Sequence, residues 1–205
     1  MKAKNTIQKA KVKDGQLEAT YSEYFAEENY SNTIDKKCAQ IIHGDLRRAF
    51  DKLKVHLVCI SEMPEADRFD SVNVYEFDPD DLPNYVVTGY VHGGSGESAG
   101  VTIIGKKLLK SGQALNINTP FTQFIDEDKY PYAGALASDI EACDYEVNEY
   151  LFHEKFGMKQ MSLDFDVPDN VDVTVITEEG EAIPLKKAKG RKKKSIAAEA
   201  FDPTA

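Results

Sequence analysis

Three cysteines, Cys38, Cys59 and Cys143, are the whole thiol complement of this 205-residue chain. An odd number with no paired spacing argues against a disulfide framework and against a cysteine-held zinc ion. Cys59 and Cys143 fall on apolar faces of helical pattern, which makes them packed thiols rather than reactive ones. The four histidines, His43, His56, His92 and His153, are too scattered for a metal cluster, and His92 alone sits beside a segment that invites testing. No apolar run approaches the ~20 residues of a membrane span. The opening Met1-Lys2-Ala3-Lys4-Asn5-Thr6 has no apolar secretory segment, so the expectation is a cytoplasmic protein with no membrane partner.

No catalytic or cofactor signature is complete either. The glycine-rich stretch His92-Gly93-Gly94-Ser95-Gly96-Glu97-Ser98-Ala99-Gly100 would need to open a helix to cradle a phosphate. It leads instead into Val101-Thr102-Ile103-Ile104, a strand pattern, and fails as a nucleophile elbow for the same reason. Asp78, Asp80 and Asp81 lack the glycine and glutamate that a calcium loop places at fixed offsets, and read as an acidic turn. Asp164 and Asp166 alternate with Leu163 and Phe165 as solvent-facing acids on a strand. The expectation is a protein that is not an enzyme and needs no cofactor.

What is present is a globular composition, 41% hydrophobic, with an uneven charge. The net charge is −10, yet residues 186–194 hold seven lysines and arginines and no acid, which leaves the rest of the chain at −17. Such asymmetry points the tail toward a polyanion, either a nucleic acid or the acidic body itself. Between Tyr85 and Phe121 three runs of β-branched and aromatic residues are separated by Gly93–Gly100 and Ser111-Gly112, which predicts a three-strand meander. The glycine loop is long for a hairpin connection, and mobile loops on rigid sheets often carry function.

Before the meander, 1–13 is lysine-rich and reads as a flexible start. Asp14-Gly15 is a turn, Gln16–Tyr24 and Thr33–Ile42 are strands, and Val72, Val74, Tyr75 and Phe77 form a short one. Leu46, Ala49, Phe50, Leu53, Leu57 and Ile60 recur at helical spacing after an Asp45 cap, with Arg47, Arg48, Lys52 and Lys54 on a cationic face that reads first as solvated and second as a binding surface. A second helix from Tyr132 to Phe152 stripes Leu136, Ile140, Cys143, Val147 and Leu151 against an acidic outer surface of Asp139, Glu141, Asp144, Glu146 and Glu149. Met161–Phe165 adds an edge strand, and Val171–Thr177 with Ala182–Leu185 a hairpin. Helices do not alternate with strands, so the fold class is α+β: an antiparallel sheet with two amphipathic helices packed on one face. The organisation is a flexible 1–13, a single domain over 14–185 and a disordered basic tail over 186–205.

Rings interleaved with bases are what a single-strand binder uses, because ring faces stack on any base and lysines follow the phosphates. Tyr90, Lys106, Lys107 and Lys110 in the meander, with Tyr85, Phe121 and Phe124 near them, are the candidates, together with Lys186, Lys187, Lys189, Arg191, Lys192, Lys193 and Lys194 in the tail. Val86-Val87-Thr88-Gly89, Gly93-Gly94-Ser95-Gly96-Glu97, Gly100-Val101-Thr102-Ile103 and Leu115 through Phe121, with the two helices, resemble a group of small conserved proteins of tailed phages that infect gut bacteria. The resemblance spans about residues 14 to 165, one ordinary domain by size. It implies a setting among genes of DNA replication and recombination but no mechanism, and transfers no catalytic residue; taken with the basic tail and the aromatic meander, the expectation is a non-enzymatic protein of DNA metabolism in the host cytoplasm, with single-stranded DNA or replication and recombination proteins as partners. The alternative from another class is a small-ligand-binding or host-inhibiting protein that closes Gly93–Gly100 over its target.

Overall fold

Lysines at positions 9, 11 and 13 alternate with Ala10 and Val12, and this alternation makes a strand of the first described residues. A computed structural model describes residues 4–69, 74 and 76–157, and the backbone of 174–176 and 182–184. Strand β1 (Lys4–Lys13) lies at the centre of the sheet, a correction to the flexible start expected there. Ile7 and Ala10 both face the core although three residues apart, because the register slips by one between Ile7 and Lys9. Such a bulge breaks period two without breaking the strand.

Asp14 and Gly15, at φ 52° and 77°, turn β1 into β2 (Gln16–Phe25), and both positive angles suit a tight hairpin. β3 (Tyr30–Ile41) completes the first meander. The second meander, β4 (Tyr85–Gly93), β5 (Gly100–Leu108) and β6 (Ala114–Asn118), forms where it was expected, with a short β7 (Thr122–Gln123) added beside β5. Every pairing is antiparallel, in the order β3-β2-β1-β4-β5-β6. That order is symmetric about the β1–β4 pair, and β4 carries its own slip between Val87 and Gly89, matching the one in β1. Three strands followed by a helix occur twice.

Helix α1 (Gly44–Ile60) buries Leu46, Phe50, Leu53 and Leu57, and α2 (Ala133–Phe152) buries Leu136, Ile140, Cys143 and Val147. Both helices belong to one core with the inward residues of the sheet, so they share one face of it. α1 lies over β4 and β5, α2 touches β1, and the two helices pack together. Gly105 lets α1 approach: a Cβ there would come within 2.5 Å of Leu57 Cδ2. His43, not Asp45, caps α1, its Nδ1 accepting from the Asp45 amide at 3.2 Å. Asp45 instead bonds Lys155 and Arg48, which hold its carboxyl down to about 2.

Val74, expected in a strand, has helical backbone and packs with Val55 and Ala135; residues 70–73 and 75 lie outside those described. The loop after β4 is a single 3-10 turn at Gly96–Ser98, in which the Ser95 amide donates to Ser98 Oγ. The chain divides into two compact units, Met1–Gln160 and Met161–Ala205. In the second, β8 (Thr174–Ile176) pairs antiparallel with β9 (Ala182–Pro184), as the expected hairpin requires. The strand expected at 161–165 and the tail at 186–205 lie outside the described residues. Among those described, no helix is long and apolar enough to cross a membrane.

Candidate nucleic-acid interface

Because both helices occupy one face, the other face of the sheet is covered by no described element of the Met1–Gln160 unit. Alternation places Lys9, Lys11 and Lys13 of β1 there, since Ala10 and Val12 pack inward. The register runs two rows across the centre. One joins Thr20, Lys9, Val91 and Thr102, and the next joins Glu18, Lys11, Gly89, Ile104 and Asn118. Lys106, between Val86 and Asn116, extends the surface over β5. The carboxylates on this side come from β2 and β3: Glu18, the register partner of Lys11, also meets Lys37 at 3.7 Å, and Asp35 accepts from the Thr20 hydroxyl at 2.5 Å. Phe121, 46% exposed, has its ring against the Gly93–Gly100 pair: a Cβ on either glycine would come within 2.9 Å of a ring carbon.

The acids gather in the helix layer and many are engaged. Asp144 of α2 accepts from Tyr90 Oη at 2.6 Å, and His92 Nε2 lies 3.0 Å from its other oxygen. Lys155 Nζ reaches Glu146 at 2.8 Å. His56 is fully buried between Tyr130, whose hydroxyl lies 2.7 Å from Nδ1, and Asp139, whose Oδ2 lies 3.1 Å from Nε2. A carboxylate is acceptor-only, so Nε2 carries the hydrogen toward Asp139, and in the neutral imidazole Nδ1 then accepts from Tyr130. Burial pushes the Tyr130 phenol up, and it remains a donor.

The candidates therefore separate. Lys106 projects from the open face, and Lys110 is exposed in the turn between β5 and β6. Tyr90 is corrected: it is fully buried, its ring 5.7 Å from Phe50, and cannot stack on a base. Lys107 is corrected too. Pointing to the helix side, its Nζ sits 2.7 Å from Glu65 and 5.0 Å above the Tyr85 ring. Tyr85 is itself buried, with its hydroxyl donating to Glu65 at 2.7 Å. Phe124 is half-buried beside His92. Lys186, Lys187, Lys189, Arg191, Lys192, Lys193 and Lys194 lie outside the described residues. The face of α1 is mixed rather than a binding stripe, with Lys54 bonded to Asp51 at 2.9 Å and Arg48 bonded to Asp45.

The residues missed in the sequence are Lys9, Lys11 and Lys13, whose every-other spacing was the available signal. Cys59 and Cys143 are packed as expected, and burial raises both thiols, Cys59 to about 11. Among the described residues, no group of three or more His, Cys, Asp or Glu is placed to hold a metal ion. No family model matches the chain, and no curated protein or solved structure is similar enough to match.

Proposed function

We propose that this chain is a non-enzymatic phage protein of DNA metabolism that lays single-stranded DNA across the open face of its sheet, in support of replication or recombination partners. The observation that carries the reading is the separation of charge by layer, with Lys9, Lys11, Lys13 and Lys106 on the open face and the acids of α2 behind it. A strand approaching the sheet meets lysines first. The acids of α2 lie on the far side of the sheet from such a strand. Val91, Ile104 and the Phe121 ring offer apolar surface to unstacked bases, while the lysines follow the phosphates.

The test is fluorescence anisotropy of a labelled oligothymidylate at several salt concentrations. The double variant Lys9→Glu, Lys11→Glu should bind at least roughly tenfold more weakly, and its salt slope should flatten by about 1.4, the share of two phosphate contacts on a single strand. Equal affinity and slope in the variant would overturn the reading, as would a wild-type protein that does not bind. Truncation after Leu185 measures separately what the basic tail adds.

A further inference from the structure

The sheet ends in two edge strands that are built differently. β3, on one edge, carries Asp35, Lys36 and Lys37, charges of the kind that keep an exposed strand from pairing with another chain. β6, on the other, reads Ala114-Leu115-Asn116-Ile117-Asn118, with no charge, no proline and no bulge. Of the nine large apolar side chains exposed among the described residues, five fall between Leu108 and Ile125, the stretch that forms this edge. Leu115 is one of them, 46% exposed in the middle of the strand.

The ladder to β5 fixes which main-chain groups of β6 face out. The Thr119 amide donates to the Ile103 carbonyl at 3.0 Å, and the Leu109 amide to the Gln113 carbonyl at 2.8 Å. Both bonds continue the register that sets Ile117 opposite Gly105 and Leu115 opposite Lys107. Odd-numbered residues of this stretch therefore turn their N–H and C=O groups to β5. Bonded residues alternate along an antiparallel strand, so Ala114, Asn116 and Asn118 present theirs outward. No described strand of the Met1–Gln160 unit pairs with them there.

We propose that β6 pairs antiparallel with β6 of a second copy of this chain, about a two-fold axis at Asn116. This centre alone uses all three outward residues: Asn116 faces its own copy, and each Ala114 faces an Asn118, every pair exchanging both main-chain bonds. On the helix side Leu115 then meets the second copy's Ile117 in the closely spaced kind of cross-strand pair, which takes the exposed leucine out of water. The strand is thus self-complementary, and no charge on it is set against itself. Two copies of a chain with net charge −10 approach most easily where neither presents an acid, which favours a second copy as the occupant. A two-fold axis normal to the sheet keeps both open faces on one side. Lys106 sits beside Asn116, so the pairing runs the two lysine-bearing faces into one.

Sedimentation equilibrium of the full chain, without nucleic acid, tests the pairing. The mass should rise with concentration from one chain to two and no further. Leu115→Glu sets a carboxylate across from Lys107 in its own chain but against Ile117 of the second copy, and should raise the dimer dissociation constant at least roughly tenfold. Asn116→Pro removes an outward N–H and no bond to β5, so it should stay folded and have the same effect. Oxidation with copper phenanthroline checks the register. Asn116→Cys should form a covalent dimer, because facing Cα atoms in such a pair lie about 5.5 Å apart. Asn118→Cys should not, since its two copies stand about 14 Å apart along the strands. Wild type, with its three native thiols, is the control. A chain that stays monomeric, a dimer unchanged in both edge variants, or cross-linking as ready at 118 as at 116 would overturn the proposal. Growth beyond the dimer would overturn it too, by showing one edge adding to the other. Because no oligonucleotide is present, failure here leaves the open-face reading untouched.

Discussion

The phenol of Tyr90, at the centre of the sheet, donates to Oδ1 of Asp144 on α2 across 2.6 Å, and the ring itself is wholly enclosed. Burial and the neighbouring carboxylate both raise this phenol, so it stays a donor at any pH the protein meets. Tyr90→Phe removes that donor from a partly exposed carboxylate and should cost about 1–2 kcal/mol of stability. Oligothymidylate affinity should not change, because the ring never reaches the open face. A large loss of oligothymidylate binding in a folded Tyr90→Phe protein would contradict this placement.

His56 joins the two halves of the chain through Tyr130 and Asp139, 74 and 83 residues away in sequence. His56→Leu fills much of the same volume but strands two polar partners in the helix layer, which should destabilise by about 1–3 kcal/mol. Combined with Tyr130→Phe the loss should be less than additive, because the second change removes a group that the first left unpaired. Urea midpoints of the single and double variants check both statements, and full additivity would argue against a shared hydrogen-bond chain.

Glu65 carries a pH signature. The Lys107 ammonium first, and the Tyr85 hydroxyl second, hold its carboxyl at about 2, against an ordinary value of 4.5. A carboxyl depressed on folding contributes its stability fully above the unfolded value and loses it as pH falls toward the folded one. The advantage of wild type over Glu65→Gln should therefore be constant near neutrality and shrink between pH 4.5 and 2. Melting temperatures of the two proteins across that window test the claim. A gap that stays constant down to pH 2 would show that Glu65 is not held by Lys107 in solution.

Where the hydrophobic period is regular, sequence reading and structure agree. The stripes of α1 and α2 repeat without interruption, and the runs Tyr85–Gly93 and Gly100–Leu108 are rich enough in β-branched residues to be strands in any context. β1 was not legible because the bulge after Ile7 shifts the inward set by one residue, and its lysine content resembles that of a loose terminus. Tyr90 failed for a related reason. The slip between Val87 and Gly89 sends Val87 and Tyr90 to the same face, where simple alternation would send them to opposite ones.

The amino-acid sequence by itself determined the α+β class, two amphipathic helices and the second meander, because these follow from local periodicity and turn chemistry. Only the tertiary structure decided which lysines share a face. It brought β1 beside β4, turned Lys107 inward to Glu65 and left Lys9, Lys11, Lys13 and Lys106 on the side away from the acids of α2. A net charge sums over the chain and carries no direction, whereas a field at a surface depends on which layer each charge occupies. The pairing of Lys9 with Val91 and the packing of α2 behind the sheet create that layering, and both join residues far apart in sequence.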